Sequence, residues 1–144
     1  MSADLAVVVV GANDLARLVP PDQAAAALGD AVRALRSAGS DVVVVPAPDM
    51  SSIPFVPPAA RPLVRAASAE LQRRQETVAS AAGARVAVVA AHVGRSFDAD
   101  LAMFAADRFH PSSAGYAAIA AALVPFVLEA ARDRRDGAIT RARA

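Results

Sequence analysis

The chain has 144 residues, which is the length of one domain. Its formal charge is +1 and no basic face dominates, so no nucleic-acid partner is predicted. It contains no cysteine, which excludes disulfides, thiolate catalysis and thiolate metal sites. Because His92 and His110 are far apart and no cluster of Glu or His surrounds them, no metal and no cofactor are predicted either.

The sequence predicts neither a membrane span anywhere in the chain nor a signal peptide. The apolar run at residues 5–10 is far shorter than the roughly 20 residues that a spanning helix needs. Asp4 stands where a signal peptide would carry positive charge. The chain as given is therefore predicted to be cytoplasmic, and secretion is the alternative if the true start lies upstream of Met1.

Three valine-rich runs are predicted to form buried parallel strands. They are residues 5–10, 41–45 and 85–90, and each ends at a turn signal. A helix at residues 22–39, with Asp22 as its N-cap, and a second at 61–82 lie between them. Strand–helix–strand repeats of this spacing give right-handed crossovers and one parallel sheet.

The C-terminal part is predicted to form one more helix followed by a tail. This helix begins near Ser112 or Ser113, and Pro125 inside it is predicted to kink it. Residues 132–144 are charged and lack periodicity, so they are predicted to be a frayed tail. The domain is accordingly placed at residues 1–131.

Two short motifs carry the chemistry. Gly11-Ala12-Asn13-Asp14 follows the first strand, and Asp107-Arg108-Phe109-His110-Pro111 opens the last helix. Both come after strands of a parallel sheet, so both should lie at its carboxyl edge. His110 could act as a general base, with the Asp107 carboxylate orienting its ring. The Asn13 amide could donate to a developing oxyanion, an effect worth about 3–4 kcal/mol of barrier.

These motifs resemble two sequence blocks of the SGNH hydrolases, the GDSL esterase and lipase family. VVVVGAND resembles the family's third block, Gly-x-Asn-Asp, and DRFHPSSAGYAAIA resembles its fifth, Asp-x-x-His-Pro-Ser-x-x-Gly-Tyr. The resemblance covers essentially the whole chain, and the fifth block is the more specific match. It implies an α/β fold, a partial flavodoxin-like three-layer α/β/α arrangement with three parallel strands that correspond to the C-terminal part of the domain.

The resemblance also implies roles for individual residues. His110 would be the general base, Asp107 its partner and Asn13 an oxyanion donor, while Gly11 would permit a close turn. The family's Gly-Asp-Ser block, which holds the nucleophilic serine, is absent, as are the first two strands. The chain therefore resembles an N-terminally truncated esterase or lipase that acts on small acyl esters, and the nucleophile is expected upstream or on a separate chain.

Several residues have simpler explanations. Asn13 and Asp14 could cap a helix or form a turn, and His92 is predicted to be a polar residue at a strand end. Ser51 and Ser52 follow the second strand and could replace the nucleophile, but they lack a strained strand-to-helix elbow. Three phenylalanines could line an apolar acyl site or belong to the core, namely Phe55, Phe97 and Phe104.

Two functional hypotheses remain open on the sequence. The first is an ester hydrolase of the GDSL type, and the second is a non-catalytic remnant or interaction module of the same fold. Without the first two strands, residues 5–10 would become the edge of the sheet although they have the composition of a central strand. Exposed apolar edges pair with other chains, so self-association through residues 5–10 is predicted.

Overall fold

Three valine-rich runs form the sheet, as their apolar pattern predicts. A computed structural model describes residues 3–142, and side chains through residue 137. Strand β1 spans Leu5–Val9, β2 spans Asp41–Val45 and β3 spans Arg85–Val86. The strands are parallel in the order β1-β2-β3, and Leu5 is in register with Asp41. All three strands therefore end at the same edge of the sheet.

Five α-helices surround this sheet in the described part of the chain. They are α1 (Ala12–Ala16), α2 (Pro21–Ser37), α3 (Arg61–Ala81), α4 (Ala90–Ala99) and α5 (Ser113–Ala142). Helix α2 begins at Pro21 rather than after an Asp22 cap, because proline at the first helical position already has the required φ. Asp22 lies in the first turn and forms an ion pair with Arg74 of α3.

The helices cover both faces of the sheet, which confirms the predicted α/β/α layers. On one face, side chains of α2 and α3 pack against alternate residues of β2, in a cluster comprising Leu28, Val32, Ala79, Val42 and Val44. On the other face, α5 packs against the intervening residues, in a cluster comprising Val43, Val45, Ala87, Val89 and Ala130. Strand β2 is thus buried from both sides, and it is the only one of the three strands with neighbours on both edges.

The third strand is shorter than its composition predicts. Pairing with β2 ends at Val86, and the chain enters α4 at Ala90. Val89, Val93 and Phe97 recur at a spacing of four, which is a helical pattern, and short apolar runs do not distinguish strand from helix. His92 accordingly lies exposed on a helix rather than at a strand end, with its ring 6.1 Å from that of Phe126.

Residues 132–142 lie in helix α5, where the sequence predicts a frayed tail. Arg134 explains the difference, because its guanidinium bonds to Asp4 at 2.8 Å and to Asp41 at 3.1 Å. On the opposite flank of the helix, Arg85 pairs with Glu129 at 2.9 Å and also with Asp133. Charged residues that lack helical periodicity are therefore held against the amino ends of β1 and β3.

Helix α5 is also more apolar than the sequence pattern suggests. Within Ser113–Gly137, a window of 18 residues has a mean hydropathy of 1.7, and by length and composition alone this helix could cross a membrane. In the fold, however, Ile119, Leu123 and Phe126 pack against the buried cluster of the sheet. The hydropathy comes from alanines together with larger apolar residues, and 11% of the window is buried in the fold.

The start of α5 is held tightly against the preceding loop. Ser112 donates from its Oγ to the carbonyl of Ala102 at 2.6 Å and accepts from the N–H of Gly115 at 3.2 Å, which is the bond of an N-cap serine. Gly115 is buried, and a Cβ at this position would overlap the carbonyl oxygen of Met103. Only glycine allows this close approach of helix and loop.

We expect Gly115→Ala to destabilise the domain and Gly94→Ala to stabilise it. Both positions are helical, so alanine gains about 1 kcal/mol of helix propensity at each. A Cβ at Gly94 meets nothing within 4 Å, whereas one at Gly115 forces the loop away and should cost about 1–3 kcal/mol net. Urea unfolding of both variants measures the difference. Equal stability of the two would contradict the close approach.

Candidate active site

A short hairpin presents the candidate base. Phe104 and Pro111 form an antiparallel bridge, and the N–H of Ala105 donates to the carbonyl of His110 at 2.8 Å. The N–H of Arg108 donates to the carbonyl of Ala105 at 2.9 Å and closes the turn at the tip. Arg108 itself has a φ of 58°, a left-handed conformation that is uncommon for a residue with a side chain. The tip is thus fixed by its own backbone.

Asp107 and His110 are in direct contact at this tip. Asp107 Oδ2 lies 2.6 Å from His110 Nδ1, which is the contact that their spacing predicts. Asp107 Oδ1 accepts from the N–H groups of Phe109 and His110, both at 3.0 Å. The hydrogen bond from the His110 side chain and these two backbone donors lower the pKa of Asp107 to about 2. Asp107 is therefore ionised across the physiological range.

The ionised carboxylate determines which nitrogen of a neutral imidazole carries the proton. A carboxylate only accepts hydrogen bonds, so Nδ1 carries the proton that it shares with Asp107. In the neutral ring this leaves Nε2 as the acceptor nitrogen. No residue in the described part of the chain hydrogen bonds to Nε2, and the His110 side chain is 57% exposed. The ring is thus oriented and available to take a proton.

Aromatic rings stand beside the imidazole. The ring centroid of Phe109 lies 4.9 Å from that of His110, and Phe55 meets Phe109 edge-to-face at 5.8 Å. The N–H of Phe55 also donates to the carbonyl of Arg108 at 3.3 Å. Phe55 is 65% exposed. Phe97 and Phe104 instead pack against each other. Of the three phenylalanines that could line an acyl site, Phe55 alone is an exposed ring beside the pair of Asp107 and His110, which we call the dyad.

Gly11 and Asn13 lie where β1 ends. Gly11 is buried with a φ of +115°, and a Cβ there would lie 2.5 Å from the Cβ of Ala47, so the close turn requires glycine. Asn13 lies exposed in the short helix α1 that begins one residue later. Its side chain makes no hydrogen bond to another described residue, so its amide is free to donate. The alternative role of Asn13 as a helix cap is not seen, since no side-chain cap bond starts α1.

The loop that follows β2 borders both motifs. At its start Ala47 packs against Gly11, and near its end Phe55 bonds to the hairpin that holds His110. Both motifs therefore lie at the carboxyl edge of the sheet. Asn13 forms no hydrogen bond with Asp107 or His110, so this chain brings the two segments to one edge without closing them on each other.

Gln75 is a positioning residue that sequence reasoning missed. It is fully buried in α3, and its Oε1 accepts from the N–H of Ala47 at 2.8 Å. This bond fixes the start of the loop between the two motifs. A glutamine on a helical face resembles any solvated polar residue in sequence, so only its burial in the fold reveals the role.

Of the two candidate replacement serines, Ser51 is engaged by another residue, and the half-buried Ser52 forms no hydrogen bond to His110. Ser51 is completely buried, and its Oγ accepts from Nε of Arg65 at 3.2 Å. Ser112 caps α5 as described above. No serine in the described part of the chain hydrogen bonds to His110. The described residues thus provide an oriented imidazole and an available amide, with no serine hydrogen-bonded to either.

Comparison with known proteins places this arrangement in context. The model of the GDSL-like Lipase/Acylhydrolase family matches residues 1–118. The chain is 35% identical over 134 residues to the GDSL-like esterase Rv1075c of Mycobacterium tuberculosis (strain ATCC 25618 / H37Rv). That alignment covers 92% of this chain and 43% of the esterase, so the chain spans less than half of this relative.

Solved structures share the fold. The acetylxylan esterase Axe2 from Geobacillus stearothermophilus matches with a TM-score of 0.70 at 19% identity, over 88% of this chain and 60% of that one. LAE5, an alpha/beta hydrolase enzyme from the metagenome of Lake Arreo, Spain, matches with a TM-score of 0.68 at 21% identity, over 86% of this chain and 59% of that one. These likenesses establish three parallel strands flanked by helices as part of a larger fold.

We expect carboxyl NMR to place the Asp107 titration near pH 2 and His110→Ala to move it upward. The variant removes the largest cause of the low pKa, while the two backbone donors keep it below the ordinary value. Because the folded pKa is below the unfolded one, the stabilisation is present above about pH 4 and is lost as the pH falls through about 2. An unchanged midpoint in His110→Ala would contradict the contact.

Proposed function

This chain belongs to the GDSL-like lipase/acylhydrolase family, and we propose that it contributes the base and an oxyanion donor of a carboxylic ester hydrolase. The observation that carries the proposal is the 2.6 Å contact between His110 Nδ1 and Asp107 Oδ2, with Nε2 free. A neutral imidazole held in this tautomer is what general-base activation of a hydroxyl needs. The hydroxyl comes from outside these 144 residues.

The proposed reaction is acyl transfer through a serine ester. His110 Nε2 takes the proton as the serine oxygen attacks the ester carbonyl, and ionised Asp107 stabilises the imidazolium. The Asn13 amide donates to the oxyanion of the tetrahedral intermediate. His110 then returns the proton to the departing alkoxide. In the second half of the reaction, His110 takes a proton from the water that attacks the acyl-enzyme and returns it to the departing serine oxygen. No metal or organic cofactor enters this scheme.

The substrate is proposed to be a small acyl ester with an apolar group. Phe55 and Phe109 form an apolar wall beside His110, and the exposed face of Phe55 is open to a ligand. Burial of an apolar group there gains roughly 25 cal/mol per Å². A separate proposal is self-association through residues 5–10, because no strand of the described part of the chain pairs with the outer edge of β1.

A non-catalytic role is the second candidate. It is favoured by one observation, namely that the described part of the chain pairs no serine with His110. The 144-residue chain should then neither hydrolyse p-nitrophenyl acetate nor react with a fluorophosphonate. Labelling of one of its own serines would overturn the proposal that the nucleophile comes from elsewhere.

We expect a chimera to separate the two candidates. In this chimera, the 134 aligned residues of this chain replace the corresponding stretch of esterase Rv1075c. If the dyad is competent, the chimera hydrolyses p-nitrophenyl acetate. His110→Gln should then lower kcat by at least about 10³-fold, and Asn13→Ala by about 10²–10³-fold.

His92→Gln is the matched control, because His92 lies exposed on α4 and contacts only Phe126 as an aromatic neighbour. Its kcat should equal that of the parent chimera. A chimera that folds cooperatively and remains inactive, beside an active Rv1075c prepared in parallel, would favour the non-catalytic remnant.

A further inference from the structure

The pairing of β1 with β2 ends at a side chain of α3. Val9 is in register with Val45, and the N–H of Val10 donates to the carbonyl of Val45 at 3.2 Å. In a parallel ladder, the next bond would join the N–H of Ala47 to the carbonyl of Val10. That N–H donates instead to Oε1 of Gln75 at 2.8 Å. Gln75 therefore takes the place of β1 beside Ala47, at the point where the first strand turns away.

The turn that follows β1 lies directly on Ala47. Gly11 has a φ of +115°, and a Cβ built on it would lie 2.5 Å from the Cβ of Ala47. Leu15 of α1 packs against the buried cluster that contains Ala47. Within the described part of the chain, residues 11–19 form hydrogen bonds only among themselves. The packing on Ala47 thus determines where Asn13 stands relative to the sheet.

Packing alone does not explain a glutamine at position 75. Gln75 is completely buried, and its Nε2 has no hydrogen-bond acceptor among the described residues. An unpaired donor in the interior is unfavourable, and methionine would fill a similar volume without one. The bond that Gln75 does form is the one that it accepts from Ala47. An acceptor oxygen at the end of the ladder is therefore what this glutamine provides.

A second buried side chain of α3 makes a bond of the same kind farther along the loop. Ser68 is 1% exposed, and its Oγ accepts from the N–H of Met50 at 3.2 Å. Met50 is not part of the cluster against which Leu15 packs. Ser68 thus matches Gln75 in burial and in the type of bond, but it does not support the turn that leads to Asn13.

We propose that Gln75 is a positioning residue for Asn13. It ends the ladder after Val10 and fixes Ala47 beneath Gly11, and in this way it sets the place from which the Asn13 amide donates to the oxyanion. The inference rests on the proposed role of Asn13 in ester hydrolysis and deepens it. Because the hairpin of His110 is fixed by its own backbone, Gln75 should affect the oxyanion donor and not the base.

The first test is hydrogen exchange, followed by NMR, on the full chain without turnover. In Gln75→Met, we expect the amides of Ala47 and Leu15 to exchange at least about tenfold faster, relative to the amide of Val44 in the core of the sheet. The Ala47 amide loses its acceptor, and the Leu15 amide, which donates to the carbonyl of Gly11 at 3.0 Å, loses the support beneath that turn. The amide signal of His110 should not shift.

Ser68→Ala is the matched control, because it should speed exchange at Met50 and leave the amides of Ala47 and Leu15 unchanged. Ala47→Gly decides if Gln75→Met does not fold. It keeps the bond to Gln75 but removes the methyl group beneath Gly11, so it should speed exchange at Leu15. The inference is overturned if Leu15 in the folded variant exchanges as in the parent chain, or if Ser68→Ala speeds Leu15 equally.

The second test uses the chimera with esterase Rv1075c. Gln75→Met should lower its kcat by about 10–10²-fold and leave KM unchanged, because the contact with the oxyanion exists only in the transition state. Added to Asn13→Ala, the same change should lower kcat no further, since both act on one interaction. Ser68→Ala should keep the kcat of the parent chimera.

Two outcomes of the second test have different meanings. Losses of kcat that multiply in the double variant would overturn the inference, because Gln75 would then act on something other than Asn13. A parent chimera that is folded and inactive would count against the proposed hydrolysis alone, since exchange at Leu15 decides in the 144-residue chain whether Gln75 holds the segment of Asn13 in place.

Discussion

The fold depends on the burial of β2 between two layers of helices. Val42 and Val44 pack towards α2 and α3, and Val43 and Val45 pack towards α5. Both neighbouring strands take their register from this one strand. Its carboxyl end then leads into the loop whose two ends contact Gly11 and the hairpin of His110. The position of the candidate site is therefore determined by where β2 ends. Gln75 holds the chain just after that end in place by accepting the hydrogen bond from Ala47.

Sequence reasoning succeeded where one interaction dominates the local structure. The bounds of β2 and α3 follow from continuous burial and from helical spacing, and the contact of Asp107 with His110 follows from a separation of three residues in a tight loop. These features depend on neighbours in the chain. The α/β/α layering follows because parallel strands need helical crossovers on their faces.

The parts that were missed depend on distant partners. The predicted third strand ends at Val86, and its last residue, Ala90, already begins α4, because a short apolar run suits either structure. Arg134 extends α5 through residues that lack periodicity because Asp4 and Asp41 are brought beside it by the sheet. The role of Gln75 and the place of Phe55 likewise appear only after the loops are folded.

The contact between Asp107 and His110 is formed entirely within this chain, whereas its surroundings are not. Asp107 receives two of its three donors from the backbone of its own hairpin, so the low pKa and the ring orientation exist before any substrate or covering segment arrives. Preorganisation of this kind avoids a cost at the moment of reaction. The oxyanion stabilisation and the exclusion of water cannot be local in the same way. Asp107 and His110 are each about half exposed, and hydrogen bonds to a developing charge are weakened by surrounding water. The candidate base is thus positioned by local sequence, whereas the environment that would make it effective must be supplied by whatever covers the carboxyl edge of the sheet.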